Sequence, residues 1–124
     1  MKILPQILWL DLPEEHDYPA AADYLRLLFS VDITEGYISR LRGVGVSVFK
    51  AKDIFRASGL SLLGVSNFHV ERDQKKIKKG ILLSPLLLVS DPKTSRVIIA
   101  DGYHRLCAVY TLDEDASIPC KITN

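Results

Sequence analysis

Asp101, Gly102, His104 and Arg105 fall in one short stretch, between an apolar run, Arg96 to Ala100, and an amphipathic run, Leu106 to Leu112. A strand that breaks at Asp-Gly into a helix builds an anion site. The first N–H groups of the helix lack carbonyl partners, and the helix dipole is positive there. Arg105 can fork onto a phosphate or a carboxylate. His104 can donate or accept a proton near neutral pH. Gly102 lets a ligand approach the backbone closely, and Asp101 is placed to cap the helix through its side chain. The purely architectural reading of the same residues is a turn at Asp-Gly, a cap at Asp101, and an Arg105 that pairs with Glu114 or Asp115.

Other chemistry-bearing groups weigh less. Glu14, Glu15, His16 and Asp17 resemble an acid–base or metal cluster, but neighbours on an extended loop point apart, and Asp17 ahead of Pro19 reads as a helix start. Lys75, Lys76, Lys78 and Lys79 could form a nucleic-acid patch. On a helix they spread around the circumference and leave Ile77 for the core, which favours a solvated face. Cys107 and Cys120 have no metal-ligand or redox spacing; a disulfide between them is one reading and buried free thiols the plainer one. His16, His69 and His104 are scattered, and no bound metal is expected. Trp9, Tyr18 and Tyr24 read as packing groups.

The elements that must position the corner follow from periodicity. Ile3 to Leu10 is an apolar strand or a lid. Pro19 to Ser30 is a helix with an apolar stripe of Tyr24, Leu27 and Leu28. A second helix starts at Asp32, with Glu35 at the capping-box spacing, and stops at Gly43. Val46 to Phe49 is ambiguous. Lys50 to Ser58 is a helix closed by Gly59. Leu60 to Val65 reads as a strand, Ser66 to His69 as a turn, and Val70 to Lys79 as a helix. Leu86 to Val89, led by Ser84 and Pro85, is apolar on both faces, as a central strand is. Val97 to Ala100 is the next strand, the corner helix runs to Leu112, and Ile118 to Ile122 closes the chain. On that helix Tyr103, Leu106, Cys107 and Tyr110 form the core stripe, and Asp101, His104, Arg105 and Ala108 share another.

The chain has 124 residues, which suits one domain, and 48% hydrophobic residues, enough for a core. The 16 basic and 15 acidic side chains leave a net charge of +1, so nothing in the overall balance draws the protein to nucleic acid or to an anionic membrane. No stretch reaches the ~18–20 apolar residues of a membrane span, and the N-terminus lacks a signal-peptide pattern. The expectation is a soluble cytoplasmic α+β protein. Residues 1–59 are expected to be a mainly helical segment packed on a small mixed sheet of β-α-β-β-α-β order in residues 60–124.

From Leu60 to Ile122, about half the chain, the sequence resembles the ParB/sulfiredoxin-like superfamily. A helix ending at Gly80 precedes the proline-led Ser84-Pro85-Leu86-Leu87-Leu88-Val89. Gly102-Tyr103-His104-Arg105-Leu106-Cys107-Ala108 is similar to the family's G-x-[HR]-R-x-x-A motif, and Ile118-Pro119-Cys120-Lys121-Ile122 resembles its closing strand. The resemblance implies nucleotide or phosphate binding, with His104 and Arg105 on phosphate oxygens and Gly102 clearing space. Lys75 and Lys76 would reach the same anion. Asn67 and His69 lie in the turn that the family places beside its motif, and Ser84 heads the neighbouring strand. ATP, ADP or CTP with magnesium are the implied ligands, and phosphotransfer the implied chemistry.

The departures are specific. Sulfiredoxins carry a cysteine where this chain has Tyr103, which argues against sulfinic acid reduction. Partition proteins add a helix-turn-helix reader of DNA after this fold, and the chain stops at Asn124. The Asp101-Gly102-x-His104-Arg105 form is closer to the small kinases and nucleases of the superfamily, although no residue here matches the kinases' catalytic carboxylate. The alternatives are a DNA-associated binder or nuclease, and a non-catalytic interaction module whose N-terminal helices face a protein partner.

Overall fold

The computed structural model describes residues 6–62 and 67–124. Among the described residues the protein is an α+β molecule with five helices and one four-stranded mixed sheet. Its elements are α1 (Asp17–Leu25), α2 (Val31–Gly43), β1 (Ser47–Lys50), α3 (Ala51–Ser58), α4 (Phe68–Lys78), β2 (Leu86–Asp91), β3 (Arg96–Asp101), α5 (Tyr103–Leu112) and β4 (Ser117–Thr123). The sheet order is β1-β4-β2-β3. β2 and β3 form an antiparallel hairpin, β4 runs parallel to β2, and β1 closes the other edge antiparallel to β4. A parallel bridge between Trp9 and Leu83 ties the N-terminal segment to the approach of β2. Among the described residues no helix is long and apolar enough to cross a membrane.

β2 is central, and its alternating side chains divide the core. Leu86 and Leu88 face α3, α4 and α5, in a cluster with Ile54, Val70, Ile77, Leu106, Val109 and Ile118. Leu87 and Val89 face the other way, onto Tyr18, Ala21 and Leu25 of α1 and Leu41 of α2. Both sides of the sheet are therefore covered by helices, which is why β2 reads as continuously apolar. Two layers of helix with a sheet between them fix the ends of β3 and α5, where the polar corner stands.

Several boundaries depart from expectation, each for a local reason. α1 ends at Leu25, and the following residues form a turn, with Leu28 N–H on the Leu25 carbonyl. Its buried face is Tyr18, Ala21, Ala22 and Leu25. The expected stripe is instead exposed: Leu27 is 80% accessible, Leu28 50% and Tyr24 41%. The cap of α2 is Ser30, whose Oγ accepts the Ile33 N–H at 3.2 Å, two residues ahead of the expected Asp32 box. The ambiguous Val46–Phe49 region supplies β1 as Ser47–Lys50, so the N-terminal half contributes a strand. Leu60, Ser61 and Leu62 are outside any strand, and the rest of that expected strand lies outside the described residues. Residues 3–5 of the expected N-terminal strand also lie outside them.

Candidate functional site

The corner departs from the expected cap. Asp101 is the last residue of β3, and Gly102, with φ 105° and ψ 16°, is the N-cap of α5 without a side-chain cap bond. The Gly102 carbonyl accepts the Leu106 N–H at 2.9 Å. The N–H groups of Tyr103, His104 and Arg105 thus have no carbonyl one turn earlier in the helix. A Cβ at Gly102 would stand 2.8 Å from Leu86 Cγ and 2.9 Å from Arg105 Nη2, so glycine is required by crowding as well as by its positive φ.

The Asp101 carboxylate turns to Arg105, whose Nη2 donates to its Oδ2 at 3.0 Å. The same Nη2 is 3.9 Å from Asp17 Oδ2. Arg105 is therefore held by Asp101 of the corner and by the approach of Asp17 from α1, not by Glu114 or Asp115, and its buried Nε has no hydrogen-bond partner among the described residues. Asp17, only 3% exposed, accepts the Ser84 hydroxyl proton, and Ser84 Oγ accepts the Glu14 N–H at 3.1 Å. His16 Nε2 lies 3.1 Å from Glu14 Oε2 and 3.3 Å from Asp17 Oδ1. The segment expected to be an extended loop is thus folded into the site by Asp17 and Ser84, while Glu15 pairs with Arg42.

α4 forms the facing wall. Arg72, Asp73 and Lys76 join Glu14, His16, Asp17, Ser84, Asp101, Gly102, His104 and Arg105 around a cleft of about 360 Å³. Asp73 is buried, with Arg72 Nε at 3.8 Å. Lys76 makes no ion pair among the described residues. Of the residues singled out in the sequence, Asp101, Gly102, His104, Arg105, Lys76 and Ser84 meet in this cleft. Lys75 does not line it: it pairs with Glu71 at 3.2 Å, one turn back on α4. Asn67 caps α4, its Oδ1 accepting the His69 and Val70 N–H groups. His69 does not line the cleft, but its ring is 4.8 Å from that of His104. Glu14, His16, Asp17, Arg72 and Asp73 are polar lining residues that the sequence does not assign to the site, and Leu82 and Leu83 complete the lining.

Electrostatics follow from burial. Desolvation raises the Asp101 carboxyl above its usual value, with Arg105 pulling the other way. Desolvation lowers His104, the nearby His69 adds to this, and Asp73 opposes it. His104 therefore favours the neutral form, able to donate from one ring nitrogen and accept at the other. Burial also raises the Tyr103 hydroxyl. Among the described residues no group of three or more His, Cys, Asp and Glu side chains is arranged to hold a metal ion.

Backbone N–H groups, His104, Arg72 and Lys76 of the cleft favour an anion. Among its carboxylates Glu14 is the most open, its side chain 44% exposed against 18% for Asp101 and 4% for Asp17. Comparison with family models, with curated proteins and with solved structures gives no match to this chain.

Proposed function

We propose that the cleft binds a nucleotide through its phosphate groups, on a fold of the ParB/sulfiredoxin kind. The observation that carries the reading is the uncapped first turn of α5 opening onto a cleft that also holds Arg72, Lys76 and His104. Support for the fold comes from the β2-β3 hairpin, the helix that follows its end, and β4 returning parallel to β2. Arg105 acts mainly from behind: tied to Asp101 and Asp17, it fixes the corner and offsets two carboxylates that would otherwise repel phosphate. Lys76 and Arg72 take the direct role expected of Lys75 and Lys76.

The activity proposed with this binding is phosphoryl transfer. The terminal phosphoryl group of a magnesium nucleotide passes to an acceptor hydroxyl, the nucleotide leaves one phosphate shorter, and the acceptor proton goes to a carboxylate. Glu14 is the open carboxylate of the cleft and fits that role. Magnesium belongs to the substrate. Calorimetry with ATP, ADP and CTP, each with magnesium, tests the binding. Wild type should bind at least one of them and Lys76→Ala should bind it about tenfold or more weakly, as loss of a charged contact implies. Failure of the folded wild type to bind any of the three overturns the reading.

A further inference from the structure

α4 carries a second hollow on its outer side. Phe68, Glu71, Arg72, Lys75, Lys76, Lys79 and Ile81 surround a groove of about 400 Å³, within the ~300–1,000 Å³ of small-ligand sites. Arg72 and Lys76 line both this groove and the cleft, so their side chains form the ridge between the two. Two large apolar groups stand open in the groove: Phe68 is 70% exposed and Ile81 46%. Four cations face one carboxylate there, Glu71, which Lys75 already engages. An aromatic chain links the hollows: the Phe68 ring lies 5.4 Å from His69, and His69 lies 4.8 Å from His104.

An aromatic face with cations on one side and an anion site beyond them is the chemistry of a nucleoside polyphosphate. We propose that the groove holds the base and sugar of the nucleotide whose phosphates occupy the cleft, with the base against Phe68. This rests on the nucleotide reading of the cleft and specifies the ligand further. The terminal phosphate lies at the first turn of α5 and the nucleoside lies beyond Arg72 and Lys76, so a phosphate must cross the ridge. The ligand is a nucleoside di- or triphosphate, and a monophosphate cannot span both hollows. Stacking on Phe68 accepts any base, and recognition is then carried by the number of phosphates and by the presence of a ring.

The full chain is titrated with ATP, CTP, AMP and inorganic tripolyphosphate, as wild type and as Phe68→Ala. The expected order places ATP and CTP about tenfold or more below tripolyphosphate in Kd, with AMP weakest. Phe68→Ala should bring ATP to the level of tripolyphosphate and leave tripolyphosphate unchanged. Ile81→Ala, the groove's other open apolar side chain, should show a smaller loss of the same kind, and it keeps the test available if Phe68→Ala disturbs folding. Equal binding of ATP and tripolyphosphate by wild type, or equal loss of both in the variants, overturns the groove assignment and leaves phosphate binding in the cleft standing. Absence of binding by both ATP and tripolyphosphate removes the cleft reading and the groove with it.

Discussion

Gly102→Ala is the substitution whose cost can be worked most directly from the corner. The backbone there has φ 105°, a conformation that costs an L-residue about 1–2 kcal/mol. The added methyl would also meet Leu86 Cγ at 2.8 Å and Cδ1 at 3.2 Å, and Arg105 Nη2 at 2.9 Å. Leu86 is fully buried on the central strand, so it cannot move without disturbing its cluster. Overpacking of that kind costs about 1–3 kcal/mol. Together the two effects give about 2–5 kcal/mol, a large share of the roughly 5–15 kcal/mol by which a domain is stable. Urea unfolding followed by circular dichroism should show a midpoint lowered on the order of 1 M or more, with little change in slope. Gly43→Ala is the control: nothing lies within 4 Å of its added Cβ, and it closes α2 without a positive φ. That variant should be neutral or gain up to about 1 kcal/mol. A loss below about 0.5 kcal/mol for Gly102→Ala would refute the argument, because Leu86 and Arg105 would then be free to yield.

Asp17→Ala removes the acceptor of the Ser84 hydroxyl and one of the two carboxylates near Arg105. It should cost about 1–3 kcal/mol in the same unfolding assay, and Ser84→Ala less. For His104, the folded pKa lies below the unfolded value of 6.5. The unfolded chain therefore binds the proton first as pH falls, so this contribution to stability is present above pH 6.5 and is lost on descending through the folded pKa. His104→Gln should flatten that part of the stability profile, and an unchanged profile would contradict the assignment. Burial pushes the Cys120 thiol up to about 12. Mass spectrometry after iodoacetamide treatment at pH 8 should find Cys120 unmodified in the folded protein and modified in urea.

Legibility in the sequence differed by element. The apolar run Leu86 to Val89 announced a strand covered on both faces, because both parities of a buried strand must be apolar. Gly59 and Gly80 announced helix ends through their positive φ, 67° and 73°. Tyr24, Leu27 and Leu28 misled because helical spacing marks a possible face: Tyr24 lies in α1 but off its buried face, and the turn after Leu25 ends the helix before Leu27 and Leu28. Asp101 misled because a strand-ending aspartate can cap the next helix or serve an arginine one turn on. The Arg105 guanidinium, brought against it by the glycine turn, decided the competition. Glu14, His16 and Asp17 read in the sequence as neighbours on an extended loop that point apart. Their place in the cleft depends on the Asp17 to Ser84 hydrogen bond, a contact between positions 67 residues apart that local pattern cannot show. Lys76 and Lys75 are neighbours of the same type, and only the rotation of α4 puts one in the cleft and the other beside Glu71.

The central claim is that an anion sits at the first turn of α5. It is tested most directly by following backbone amide resonances in a ¹⁵N correlation spectrum while pyrophosphate is added. Saturable shifts of the Tyr103, His104 and Arg105 amides are expected, with smaller shifts at Arg72 and Lys76, at an affinity that falls with salt. Shifts that skip the α5 amides, or that follow the exposed lysines Lys75, Lys78 and Lys79 without saturating, would contradict it.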